Sequence, residues 1–277
     1  MKVFDIHQHL GSLGEPNIPD VPLETDEDAE RRISVMRQHG MTAAAVLPPP
    51  VYDRTDGWRS TRALNTQLAG FRDRHPESFP AAFGVVEPMY SLKSGLEEIA
   101  FMRDEARLNG VVWHHKFHGG IAMDAPVMDR LVEASHEAGL RILVHVYADS
   151  PLESVWSLLR LARRHPEVPF VALDAFSSAG QARDLPTVAD ECPNVLFETA
   201  GTFPLGRLVE RFVKAFGSHR VVYGSQLYAR PQWWLDPHTL TELRASPDLK
   251  PEDLENILWR NAAELLGLTD GRDARGS

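Results

Sequence analysis

The sequence predicts an α/β protein, a single (β/α)8 barrel over residues 1–277, on three observations. Short β-rich runs alternate eight times with helical patterns. Most of those runs are almost continuously apolar, as parallel strands covered on both faces must be. The length of 277 residues suits one barrel, since such barrels are typically about 250 residues long.

The strands fall at 3–9, 43–48, 81–87, 111–115, 141–146, 170–174, 195–198 and 221–224. Between the first two, Ala29, Ile33 and Met36 form an apolar helical stripe, opened by a Thr25/Asp28 capping box and closed by Gly40. Leu64, Leu68 and Phe71 repeat the stripe, and that helix stops before Pro76. After strand five, Ser150-Pro151-Leu152-Glu153 combines an N-cap, an N1 proline and an N3 glutamate. Leu208, Phe212 and Phe216 mark another helix, ended by Gly217, and a last one at about 251–266 closes the barrel. Residues 269–277 read as a loose tail. Beyond the β/α alternation there is no repeat and no linker-like shift in composition.

Composition narrows the partners. With 43% hydrophobic and 25% charged residues the chain reads as an ordinary globular protein. A net charge of −10, without a clustered basic field, argues against nucleic acid and anionic membranes and for a small-molecule substrate. One cysteine, Cys192, allows neither an internal disulfide nor a Cys-rich zinc module. With no signal-like or membrane-length apolar run, the expected location is cytoplasmic.

In such a barrel the chemistry sits at the carboxyl ends of the strands. Those ends carry Asp5, His7 and His9, then His114 and His115, His145, Asp174, Glu198 and, just past strand eight, Gln226. Period-two alternation puts Asp5, His7 and His9 on one face. If that face is the interior, both imidazoles meet near the mouth, with Asp5 deeper as an acceptor behind them. Neutral imidazole ligates zinc and similar divalent ions, and His145, from across the barrel, is the natural third ligand. Of His114 and His115, alternation admits only one to the interior. Loop residues 48–59 and the segment holding Tyr228, Arg230, Trp233 and Trp234 mix aromatic groups with arginine. Such walls suit a small organic molecule, with Arg59 and Arg230 as candidate carboxylate clamps.

Several segments, in order, resemble the amidohydrolase-related family of hydrolases, lactonases and metal-dependent decarboxylases. They are Val3-Phe-Asp-Ile-His-Gln-His-Leu-Gly, Arg74-His-Pro-Glu-Ser-Phe with Gly84-Val-Val-Glu-Pro, and Asn109-Gly-Val-Val-Trp-His. Gly139-Leu-Arg-Ile-Leu-Val-His, Asn194-Val-Leu-Phe-Glu-Thr-Ala-Gly, Tyr223-Gly-Ser-Gln and the closing helix from Ile257 complete the set. The resemblance implies metal-ligand positions at His7, His9 and His145, an inward-facing His114, one zinc or manganese ion, and a homodimer.

Two positions depart from the family pattern. Asp174 stands where a strand-six histidine is usual, and Gln226 where a strand-eight aspartate is usual. An amide is a weak ligand and takes no proton near neutral pH, so the site loses a charge and a base together. Asp174 is the candidate replacement, as ligand or base beside His145, with His114, Gln226, Tyr228 and the two arginines as substrate contacts. The expected activity is hydrolysis or decarboxylation of a small carboxylated or cyclic substrate at a modified mononuclear metal site. A metal-free enzyme opening, cyclising or eliminating, and a non-catalytic binding barrel, are the alternatives.

Overall fold

The computed structural model describes residues 1–201 and 207–268, so the expected tail lies outside the described residues. Eight parallel strands pair in chain order as one sheet: β1 (Phe4–His9), β2 (Ala43–Leu47), β3 (Ala81–Gly84), β4 (Gly110–Trp113), β5 (Arg141–His145), β6 (Phe170–Leu173), β7 (Val195–Glu198) and β8 (Val221–Val222). The ends of the sheet meet through backbone bonds from Ile6 N–H to Tyr223 O (3.1 Å), Gln226 N–H to His7 O (2.8 Å) and His9 N–H to Leu227 O (2.9 Å). This is the predicted (β/α)8 barrel. β8 is shorter than expected because the chain turns irregular beyond it, with Gln226 at φ 59°.

Helices cover the outside: α1 (Asp26–Gln38), α2 (Trp58–Arg74), α3 (Leu92–Asp104), α4 (Pro126–Glu137), α5 (Val155–Arg164), α6 (Ala179–Glu191), α7 (Leu208–Phe216) and α8 (His238–Ala245). The closing segment is α9 (Pro251–Glu255), a π turn over Asn256–Arg260, and α10 (Asn261–Leu266). α1 opens on the expected Thr25/Asp28 capping box. α5 does not open on Ser150: its N-cap is Ser154, whose hydroxyl accepts from Ser157 N–H. The stretch before it stays in the loop, and Glu153 points into the protein rather than capping a helix. No described helix is long and apolar enough to cross a membrane.

The core has two layers. Inside the barrel, Phe4, Ile6, Phe83, Val112, Leu143, Val171 and Val222 form a plug, sealed from below by Trp259 and Ala262. Outside, Val46, Val111, Ile142 and Val144 pack against Leu64, Leu68, Leu131 and Leu158 of the helices. Each fully buried Leu, Ile, Val or Phe stabilises the fold by about 1.5–3 kcal/mol, so the barrel can carry a polar, charged mouth.

β1 contains the irregularity that makes the site. Against β2, Asp5 aligns with Ala44 but Gln8 with Val46, so Ile6 and His7 together oppose Ala45. Such a β-bulge inserts one residue and re-aims the side chains after it. Phe4 and Ile6 therefore face the plug, and beyond the bulge the inner face passes to His7 and His9. Asp5 is left on the other side, against the expectation that it lies beneath the histidines. There it accepts from Gln8 Nε2 (2.8 Å), Ser225 N–H (2.9 Å) and the Ser225 hydroxyl.

Candidate functional site

At the carboxyl ends of the strands His7, His9 and His145 converge, each at most 2% exposed. One nitrogen from each lies within 4.8 Å of the other two. Gly224 makes room for this: a Cβ there would stand 2.6 Å from the Glu198 carboxyl carbon and 2.8 Å from His7 Cβ.

The hydrogen bonds behind the rings fix the tautomers. His9 Nδ1 is 2.5 Å from the Pro48 carbonyl oxygen, which only accepts, so that nitrogen carries the proton. His7 Nδ1 lies 3.2 Å from Glu198 Oε2, and His145 Nδ1 lies 2.7 Å from Asp174 Oδ2. All three rings thus have Nδ1 turned outward onto an oxygen, and His7 and His9 turn their Nε2 atoms toward each other. His7 Nε2 and His9 Nε2 are 2.8 Å apart. Two lone pairs at that separation repel unless a cation or a shared proton lies between them. The donor set, imidazoles with carboxylate or carbonyl partners behind them, fits a divalent cation.

Charge follows the same geometry. Burial alone would depress His7, but Glu198, with Asp174 and Asp5, outweighs it and lifts the imidazole above its ordinary value. Burial, then His7 and His145, hold His9 far below the ordinary range. Burial also depresses His145, although Asp174 opposes it. Burial opposes ionisation of Asp174, yet the hydrogen bond and charge of His145 and the charge of His7 keep it below the usual carboxylate range.

Above the histidines opens a cavity of about 440 Å³, lined by His9, His145, His114, Gln226, Tyr228 and residues of the rim. Its rings stack in order. Tyr228 lies 4.8 Å from His9, His9 5.5 Å from His145, His145 4.3 Å from His114, and His114 5.4 Å from Tyr147, all within 20° of parallel. His114 is the inward member of its pair. His115 turns away, its Nδ1 2.9 Å from Ile121 O. Gln226 donates from Nε2 to the Tyr147 hydroxyl (3.1 Å). Asp174 does not face the cavity; it sits behind His145 at φ 58°.

The two arginine clamps are not there. Arg59 is exposed and lies over the Trp58 ring, because the first turn of α2 points it to solvent. Arg230 turns to the opposite side of its loop and donates to Leu23 O (2.8 Å). Among the described residues the cation lining the cavity is Lys116, paired with Asp149 at 3.6 Å.

Two contributors, Tyr147 and Glu153, are not site candidates in the sequence, and a third, Glu198, stands there among the strand ends without a role. Tyr147 lies two residues past His145, and alternation along strand five would have found it. Glu198 ends strand seven, but only the closed barrel brings it behind His7. Glu153 was read as a capping residue. Its Oε2 stands 2.8 Å from His114 Nδ1 and also accepts from Lys116 N–H, and burial pushes its carboxyl up to about 8.

No curated protein matches the chain in sequence. Solved structures match its fold. 5-carboxyvanillate decarboxylase from Sphingomonas paucimobilis superposes with a TM-score of 0.73 at 16% identity, covering 97% of this chain and 99% of that one. The Novosphingobium aromaticivorans 5-carboxyvanillate decarboxylase, complexed with manganese and 4-hydroxy-3-methoxy-5-nitrobenzoic acid, gives 0.67 at 16% identity, covering 89% and 82%. A probable 2-pyrone-4,6-dicarboxylic acid hydrolase from Acinetobacter baumannii gives 0.65 at 14% identity, covering 97% and 100%. The amidohydrolase family itself matches residues 4–268. By that match over nearly its whole length, the chain belongs to the amidohydrolase family of enzymes.

Proposed function

We propose that the chain hydrolyses or decarboxylates a small carboxylated or cyclic organic substrate at a mononuclear site, where His7, His9 and His145 hold one zinc or manganese ion. The observation that carries this reading is the convergence of three buried imidazoles, each with Nδ1 held by an oxygen behind it and one nitrogen within 4.8 Å of the other two. The manganese-bound relative of the same fold supports it. When bound, the ion supplies Lewis-acid polarisation of a substrate oxygen.

The remaining work falls to the protein. Glu198, the Pro48 carbonyl and Asp174 hold the three rings in register. Asp174 is a positioning residue acting through His145. Gln226 and Tyr147 hold substrate polar atoms by hydrogen bonds, and Tyr228 and Tyr147 wall the ends of the ring stack. His114, anchored at Nδ1 by Glu153, lines the cavity and is placed to exchange a proton there, taking one from an attacking water in hydrolysis or giving one to the carbon that loses CO2 in decarboxylation. A cytoplasmic setting and, by analogy with the family, a homodimer complete the reading.

A second reading, the metal-free enzyme, is favoured by one observation. The 2.8 Å separation of His7 Nε2 and His9 Nε2 is satisfied by a shared proton, and Gln226 brings no charge to hold an ion. Elemental analysis of protein prepared without chelator decides between them. The metal reading expects about one zinc or manganese per chain, with turnover lost on chelation and restored by the metal. Full turnover after exhaustive chelation refutes it in favour of the second.

A further inference from the structure

The walls of the cavity differ in chemistry. Its floor is polar, made by His9, His145, His114 and Gln226, whereas Leu13, Pro50, Val51 and Phe117 form an apolar wall at the rim. Leu13, Val51 and Phe117 are 43%, 51% and 37% exposed. Large apolar side chains left open around a mouth, continuous with a site, mark a surface that a ligand covers.

Charge on the walls is scarce. Among the described residues no arginine lines the cavity, and its one lysine, Lys116, is balanced by Asp149, 3.6 Å away on the same rim. The nearby Arg54 is spent on the buried Glu87 carboxylate (2.7 Å) and the Phe117 carbonyl oxygen (2.9 Å). An anionic group at the floor would meet the histidine site. A second one, at the rim, would lie on hydrocarbon without a free partner, which is unfavourable.

We infer that the substrate is an amphiphile, with at most one anionic group at the histidine floor and an uncharged apolar arm along Leu13, Pro50, Val51 and Phe117. The inference rests on the proposed function for the floor alone. Burying one methylene fully raises affinity about fourfold. This wall covers an arm from one side, so about twofold per methylene is expected here.

Calorimetric titration of the full chain with zinc added tests it, using benzoate, 4-ethyl-, 4-butyl- and 4-hexylbenzoate, and terephthalate, which puts a carboxylate where the arm would be. The expected result is a more than tenfold gain from benzoate to 4-butylbenzoate, with terephthalate weaker than benzoate. Val51→Asp combined with Phe117→Asp flattens the series. A flat wild-type series, or terephthalate binding more tightly than 4-butylbenzoate, overturns the inference. So does a flat series from a dimer that Val51→Asp dissociates, which would give the wall to a second copy of the chain. If none of the series binds, the inference falls together with the reading of the floor. Rising affinity without turnover of any substrate leaves the inference standing and removes only the proposed reaction.

Discussion

Replacing Asp174 with Asn removes one negative charge from behind His145 while keeping the size and shape of the side chain. The carboxylate oxygen stands 2.7 Å from His145 Nδ1, with both side chains buried, and an amide oxygen accepts the same hydrogen bond. The backbone at φ 58° lies in the left-handed region, which Asn tolerates at least as well as Asp, so stability should change by less than about 1 kcal/mol. The effect on metal is larger. One imidazole separates the charge from an ion at Nε2, roughly 6–7 Å, so its loss costs about 1–5 kcal/mol between effective dielectrics of about 80 and 20. Loss of an outer hydrogen-bonding partner typically lowers metal affinity by about 10–100-fold, within that range. Competition for zinc against a chromophoric chelator, run beside a thermal melt, should show such a loss at an unchanged Tm. Asp174→Ala, which strands the His145 Nδ1–H, should lose more. Zinc affinity within about threefold of wild type in a folded Asp174→Asn protein would refute the positioning role of Asp174.

Further expectations concern other parts of the site and its frame. Glu153 is lifted by burial from 4.5 to about 8, so its contribution to stability is fully present below 4.5 and is lost as pH rises through about 8. Glu153→Gln, neutral at every pH, should gain on wild type in urea midpoint as pH rises across that window; a constant difference would count against the buried carboxyl. Gln226→Asp adds a carboxylate beside the three imidazoles and should tighten zinc by about tenfold or more, read in the same chelator competition. Unchanged affinity would place residue 226 outside the ion's surroundings. Arg32 and Glu24 form an ion pair with both side chains fully buried. Arg32→Ala, stranding Glu24, should cost about 3–5 kcal/mol in urea unfolding, and pairing Arg32→Met with Glu24→Leu should recover only part of it, because the bonds to His9 O and Leu227 O stay lost. A single-mutant cost under about 1 kcal/mol would contradict the buried pair.

The barrel was legible because its signals are local. Continuous apolar runs such as Arg141–His145 fix a buried strand whatever lies elsewhere, and the Thr25/Asp28 box is closed within one turn. His7, His9 and His145 were legible because two imidazoles one residue apart point one way on a strand. Alternation misled at Asp5, since the bulge at Ile6 and His7 changes which side of β1 faces inward, and nothing in the residues marks it. Glu153 was hidden by a good capping pattern at Ser150, which lost to Ser154 once His114 and Lys116 N–H engaged the carboxylate. His165, at the end of α5, is buried with its Nε2 2.9 Å from Asp129 Oδ1, a partner that its place in the sequence does not show. Arg59 and Arg230 failed for a different reason: composition shows that a loop holds an arginine, but its direction depends on partners far along the chain, as Leu23 O does for Arg230.

The seam where β8 meets β1 gives the site a mechanical meaning. The barrel closes there through only a few backbone bonds, two of them made by His7 O and His9 N–H, with the Arg32 guanidinium clamping His9 O (2.9 Å) and Leu227 O (3.3 Å) from outside. His145 reaches the same point from β5, across the barrel. A ligand shared by these histidines therefore bridges the first strand to the opposite wall, beside the bonds that close the ring. Binding and closure become one equilibrium, and a ligand at about 100 times its Kd adds about 2.7 kcal/mol to the closed form. The amides of His9 and Gln226 would then serve as gauges of occupancy, slowing their hydrogen exchange as the site fills, long before any turnover is measured.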